Sequence, residues 1–123
     1  MPPKLAYVIV FVADMVRAVK FYRDTLGLSL KFGSPGWSEF VTGETTLALH
    51  PASAESPPGT AHMGFNVPNI ETFYQEMTAK GVKFPEPPKK QDFGGVLAAF
   101  EDSEWVGLHR QRRRVARFRM IHL

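Results

Sequence analysis

Cysteine is absent from the 123-residue chain. That excludes disulfides and thiolate metal sites and makes a reducing compartment the natural setting. Long hydrophobic runs are missing too. The apolar stretch near the start, Leu5 to Ala13, is closed by Asp14 and is too short to span a bilayer. No small-residue cleavage site follows it, so a cytoplasmic protein with no membrane partner is expected. There is no phosphate-cradling glycine loop, no nucleophile elbow and no serine triad pattern. A surplus of positive charge is also lacking from most of the chain. Residues 1–109 carry nine Lys or Arg against twelve Asp or Glu, whereas residues 110–123 hold six arginines. Residues 110–123 therefore read as a basic tail. Such a tail is either a solvated extension or a sequence-independent contact for nucleic acid, and nucleic acid is not expected elsewhere.

What is present is one domain's worth of material, 44% hydrophobic and 22% charged, with ordinary globular proportions. Asp14 is a good helix N-cap. Met15, Ala18, Val19, Tyr22 and Leu26 then recur at helical spacing, and Gly27 follows where a helix end favours a left-handed residue. The pattern returns with Asn69 as cap, Ile70, Phe73 and Met77 as stripe, and Gly81 as stop. A strand-like segment precedes each helix, Leu5–Ala13 and Ala61–Val67. Strand-like pieces follow each: 28–33, 37–42 and 45–50 after the first, and 82–84, 94–102 and 104–109 after the second. The proline-rich stretch Pro85-Glu86-Pro87-Pro88 reads as a loop interrupting the second set.

Both halves thus share the order strand, helix, strand, strand, strand. Asp14 and Asn69 are offset by 55 residues, as are Tyr7 and His62, and the segments Leu47-Ala48-Leu49-His50 and Val106-Gly107-Leu108-His109 close the halves alike. A duplicated βαβββ unit is the better reading than two unrelated half-units. The expected organisation is a single domain over 1–109, with modules at 4–50 and 61–109, a linker at 51–60 rich in Pro, Ser and Ala, and the tail at 110–123.

The run Val10-Phe11-Val12-Ala13-Asp14-Met15, leading through Phe21-Tyr22-Arg23-Asp24-Thr25-Leu26-Gly27-Leu28, resembles the opening strand and helix end of the vicinal-oxygen-chelate superfamily (glyoxalase, bleomycin-resistance and extradiol dioxygenase domains). Residues 45–50, 62–67, 79–82 and 100–103 support the resemblance. It implies an α+β fold of two tandem βαβββ modules whose curved mixed sheets surround a shared cleft, and a homodimer. It also implies one divalent metal (Zn, Ni, Mn or Fe) held by four side chains and acting as a Lewis acid.

Mapped by motif, the four ligand positions fall on Tyr7, Ala48, His62 and Gly107, or on His109 in place of Gly107 if the turn at Glu104-Trp105 is not two residues short of the family's, and the shorter turn favours Gly107. Only His62 is a good ligand, so no metal cofactor is expected. Strand alternation puts His50 on the face of Ala48 and His109 on that of Gly107. His50, His62 and His109 could then form a shifted three-histidine site, or each could line a polar pocket or cap a strand. Trp37 and Glu39 share one face of their strand, and either they or Ser38 and Phe40 turn to the cleft. The loop 89–95, with glycines at 94 and 95, is either a lid or an ordinary surface loop. The candidate ligand-binding residues are Tyr7, Trp37, Glu39, His50, His62 and His109. The leading expectation is a small-molecule binder without the usual metal. The alternative is a metal-dependent lyase, isomerase or dioxygenase working through the shifted histidines, with Glu39 or Glu101 as base.

Overall fold

The structure is a computed structural model and describes residues 3–92 and 95–101, together with the backbone of a strand at 117–122. The chain divides into two compact units, residues 6–61 and residues 62–123 together with 1–5.

The first unit contains β1 (Lys4–Val12), α1 (Met15–Lys20), β2 (Ser29–Gly33), β3 (Ser38–Val41) and β4 (Thr46–Pro51). Its sheet runs β2-β3-β4-β1, with β1 and β4 parallel and the other pairs antiparallel. The Asp14 carboxylate accepts the Arg17 amide at 3.0 Å, as the sequence predicts. The helix differs from expectation after Lys20. Phe21–Thr25 is a π-helical turn, with the Leu26 amide donating to the Phe21 carbonyl, before Gly27 ends the segment at φ +83°. One face of the sheet turns Ser38, Phe40 and Leu49 toward the helix, and all three are fully buried. The Tyr22 ring lies 5.7 Å from that of Phe40. The opposite face carries Ile9, Phe11 and Ala48, with Tyr7, Trp37 and Ala52 packed against them.

The second unit repeats the plan with β5 (Ala61–Asn66), α2 (Ile70–Ala79), β6 (Glu86–Lys90), β7 (Val96–Glu101) and β8 (Arg117–His122). Its order is β5-β8-β7-β6, with β5 and β8 parallel and the rest antiparallel. Asn69 caps α2 through the Thr72 amide at 3.0 Å. The two caps share nearly one conformation, φ −140° and ψ 107° at Asp14 and φ −143° and ψ 103° at Asn69. Beneath α2, Val67, Ile70 and Ala98 form a core joined by Phe65, Phe73 and Phe100. Identical pairing in the two units, with matching caps, is what duplication of one βαβββ unit produces.

Two expectations need correction. Residues 86–90, expected within a proline-rich loop, are an edge strand. Proline is tolerated there because an edge need not donate on its outer side, and a register shift between Glu86 and Lys89 absorbs the misfit. The strand beside β5 and β7 is Arg117–His122, within the stretch expected to be a basic tail. The segment 104–109, expected to close the second unit, lies outside the described residues. Arg117-Phe118-Arg119-Met120 alternates charge with apolar bulk, a pattern that suits a half-buried strand. The 89–95 stretch enters a β6–β7 hairpin closed by the Gln91 amide on the Gly95 carbonyl at 2.8 Å. Phe93 and Gly94 lie outside the described residues.

Candidate functional site

The first unit gathers its candidate residues by strand register. Ile9 pairs with Ala48, Phe11 with His50, and Glu39 with Ala48. Residues paired across a sheet project to the same face, as do residues two apart on one strand. Tyr7, Glu39 and His50 therefore lie on one face, away from α1. Ser38 and Phe40 take the helix face, and Trp37 and Glu39 take the other.

Side-chain contacts follow this placement. The Trp37 indole Nε1–H donates to Glu39 Oε2 at 2.7 Å. Tyr7 meets Trp37 edge-on with centroids 6.0 Å apart, and Trp37 meets His50 edge-on at 6.2 Å. Phe11 lies 5.3 Å from the His50 ring. His50 Nδ1 is 2.8 Å from the Pro51 carbonyl oxygen. A carbonyl can only accept, so Nδ1 carries the proton in that bond, and in neutral histidine Nε2 keeps its lone pair. The result is an aromatic wall with one carboxylate anchored in it and one imidazole acceptor beside it.

The charges are local. The Glu39 side chain is 17% exposed, and Lys31 Nζ lies 4.0 Å from its Oε1, the oxygen that the indole leaves open. Leu30 pairs with Phe40 on the helix face, so alternation along the strand sets Lys31 on the Glu39 face. The bulge that follows sets Phe32 opposite Glu39 as well. Burial pushes the Tyr7 phenol above its ordinary value, and the nearby Glu39 charge pushes it further the same way. Tyr7 is thus a neutral hydroxyl at physiological pH, able to donate or accept a hydrogen bond.

The metal positions can be tested on this donor set. In the first unit they fall on Tyr7, a phenol held protonated, and on Ala48, a fully buried methyl with no donor at all. In the second unit His62 on β5 is buried. On the closing strand, Arg119 pairs with Gly64 as Ala48 pairs with Ile9. Gly64 stands 55 residues after Ile9, so β8 brings an arginine to the register position where a fourth ligand is needed. These residues do not fit a chelated divalent ion. Among the described residues no three of His, Asp or Glu come together as ligands would. His109, the third member of the shifted histidine set, lies outside the described residues.

Two contributors escaped the sequence reading. Phe11 was legible, since it follows Tyr7 and Ile9 on the same alternating face. Lys31 was not, because nothing in the sequence fixes the β2–β3 register that sets it beside Glu39.

The model of the Glyoxalase/Bleomycin resistance protein/Dioxygenase superfamily matches residues 4–105. A search of curated proteins finds no match. Among solved structures, an NAD-dependent benzaldehyde dehydrogenase from Legionella pneumophila is 20% identical, with 99% of each chain covered and a TM-score of 0.73. Methylmalonyl-CoA epimerase of Streptomyces coelicolor, in complex with 2-nitronate-propionyl-CoA, is 14% identical, with 97% of this chain and 93% of that one covered and a TM-score of 0.73. A glyoxalase/bleomycin resistance protein/dioxygenase superfamily member from Vibrio splendidus is 16% identical, with 99% and 100% covered and a TM-score of 0.66. At these identities the likeness concerns the α+β fold.

Proposed function

The chain belongs to the Glyoxalase/Bleomycin resistance protein/Dioxygenase superfamily, and from that premise we propose that it binds a small organic molecule on the Tyr7, Trp37, Glu39 and His50 face without a chelated metal. The observation that carries this reading is the Trp37–Glu39 hydrogen bond set among aromatic rings. A carboxylate so anchored is a fixed negative charge against π faces. That combination favours an organic cation or a hydrogen-bond donor with a flat apolar body. The Tyr7 hydroxyl and His50 Nε2 supply further polar contacts for orientation. Lys31 is exposed on a flexible stem, and its pairing with Glu39 is a surface ion pair worth little, so a ligand cation can displace it.

The missing chelators support binding over Lewis-acid chemistry. Ala48 offers no electron pair, and a protonated Tyr7 is a weak donor to a divalent ion. Fold likeness at these identities does not carry an activity from one protein to another, so the substrates named for the structural relatives remain theirs.

The test uses benzyltrimethylammonium as probe, titrated into the full chain in the presence of a strong chelator and followed by calorimetry. Saturable one-to-one binding that survives the chelator is the expected result. Binding that appears only after a divalent metal is restored would overturn the proposal and favour the metal-dependent enzyme.

A further inference from the structure

The bulge in β2 brings two residues, not one, to the Glu39 face. A Cβ at position 33 would lie 3.3 Å from Leu30 Cδ2 and 3.9 Å from Ser38 Oγ, so Leu30 and Gly33 both turn to the helix face. They stand three apart, and plain alternation would put them on opposite faces. The residues between them, Lys31 and Phe32, therefore share the other face. One extra residue in a strand produces this doubling, and the register sets Phe32 opposite Glu39.

Phe32 is thus an aromatic ring on the face of the proposed cation site. It is 54% exposed, and among the described residues it makes no ring contact. The rings of the aromatic wall lie elsewhere around the carboxylate. Trp37 stands just before β3, and Tyr7 and His50 come from β1 and β4 on one flank of β3. Phe32 comes from β2 on the opposite flank. Glu39 is therefore bordered by aromatic rings on both sides. A cation already occupies this place in the structure, since Lys31 Nζ lies 4.0 Å from Glu39 Oε1.

The two kinds of organic ammonium use such a place differently. A primary ammonium has three N–H donors to satisfy. Glu39 Oε1, the Tyr7 hydroxyl and His50 Nε2 are acceptors for them, and a further ring adds little. A quaternary ammonium has no N–H. Its charge is spread over alkyl groups that gain by lying on π faces. A ring on the outer flank of Glu39 favours the second kind only.

We infer that Phe32 determines specificity at this site, its ring closing the outer flank of the Glu39 carboxylate and favouring a quaternary ammonium head over a primary one. The inference rests on the proposal that this face binds an organic cation, and it names the class of cation.

The experiment titrates benzyltrimethylammonium and benzylammonium into the full chain by calorimetry, in the parent, Phe32→Leu and Phe32→Tyr. Leucine keeps apolar bulk and loses the π face, whereas tyrosine keeps the ring. Phe32 is exposed, so neither change threatens the fold. Phe32→Leu should weaken the quaternary probe about two- to fivefold, the size of one exposed cation–π contact, and leave benzylammonium unchanged. Phe32→Tyr should match the parent. In NMR spectra of the parent complex, the N-methyl protons should show nuclear Overhauser contacts to the Phe32 ring as well as to the Trp37 indole. The inference is overturned if Phe32→Leu has no effect, if it weakens both probes equally, if Phe32→Tyr loses as much as Phe32→Leu, or if the N-methyl contacts reach Trp37 alone. In each of these cases the parent still binds benzyltrimethylammonium and the cation site stands. Absence of binding in the parent ends both.

Discussion

Glu39→Gln isolates the charge on which the proposed ligand preference rests. Glutamine keeps the shape and an oxygen that can accept from the Trp37 indole, whose present bond is 2.7 Å long, so the wall should stay assembled. What disappears is one negative charge. A cation about 5 Å away interacts with it by roughly 3 kcal/mol at an effective dielectric constant of about 20. Glu39 is 17% exposed and already faces Lys31 at 4.0 Å, so screening and the displaced lysine reduce this to about 1–2 kcal/mol, a five- to thirtyfold loss of affinity. Calorimetry with benzyltrimethylammonium on the variant and the parent reads the change. Toluenesulfonate serves as the anionic counterpart and should move in the opposite direction. Unchanged affinity for the cation, or equal affinity of the parent for both probes, would refute the electrostatic reasoning even if some ligand still bound.

Other consequences follow from particular groups. Tyr7 ionises above its ordinary value of 10.0 in the fold, so the folded state holds its proton where the unfolded chain has lost it. Stability should therefore fall as pH rises past about 10, and Tyr7→Phe should flatten that part of the denaturation profile. Glu39→Gln should bring the Tyr7 titration, followed by phenolate absorbance, part of the way back, because burial is the larger cause and remains. Phe40 is fully buried against Tyr22, so Phe40→Ala should cost about 3–5 kcal/mol in urea unfolding; a loss under about 1 kcal/mol would contradict the described packing. Asn69→Ala removes the α2 cap bond and should cost about 1 kcal/mol in the same assay.

The duplicated plan was legible because it is written in local chemistry. Caps at Asp14 and Asn69 and stops at Gly27 and Gly81 each report a backbone requirement that few residue types satisfy, and Tyr7 and His62 share the 55-residue offset of the caps. Face assignment was half legible. Alternation tied Trp37 to Glu39 and Ala48 to His50, but only the Glu39–Ala48 register joined the two pairs. The parts that escaped depend on tertiary context. Glu86-Pro87-Pro88 reads as a breaker until it is known to sit at a sheet edge. The bulge beside Lys31 and the π-helical turn after Lys20 insert residues without any side-chain signature. Arg117–His122 was read by its charge as a tail, although its alternation of arginine with Phe118 and Met120 carried the strand signal. The competing closing segment at 104–109 matched the motif better and drew the assignment.

The account depends on the superfamily's chelating positions having lost their donors at Tyr7 and Ala48. The most direct measurement is calorimetric titration of chelator-stripped protein with zinc, nickel, manganese and ferrous iron in turn. The account predicts no saturable binding at micromolar concentrations with any of them. Micromolar one-to-one binding that vanishes in His62→Ala would contradict it.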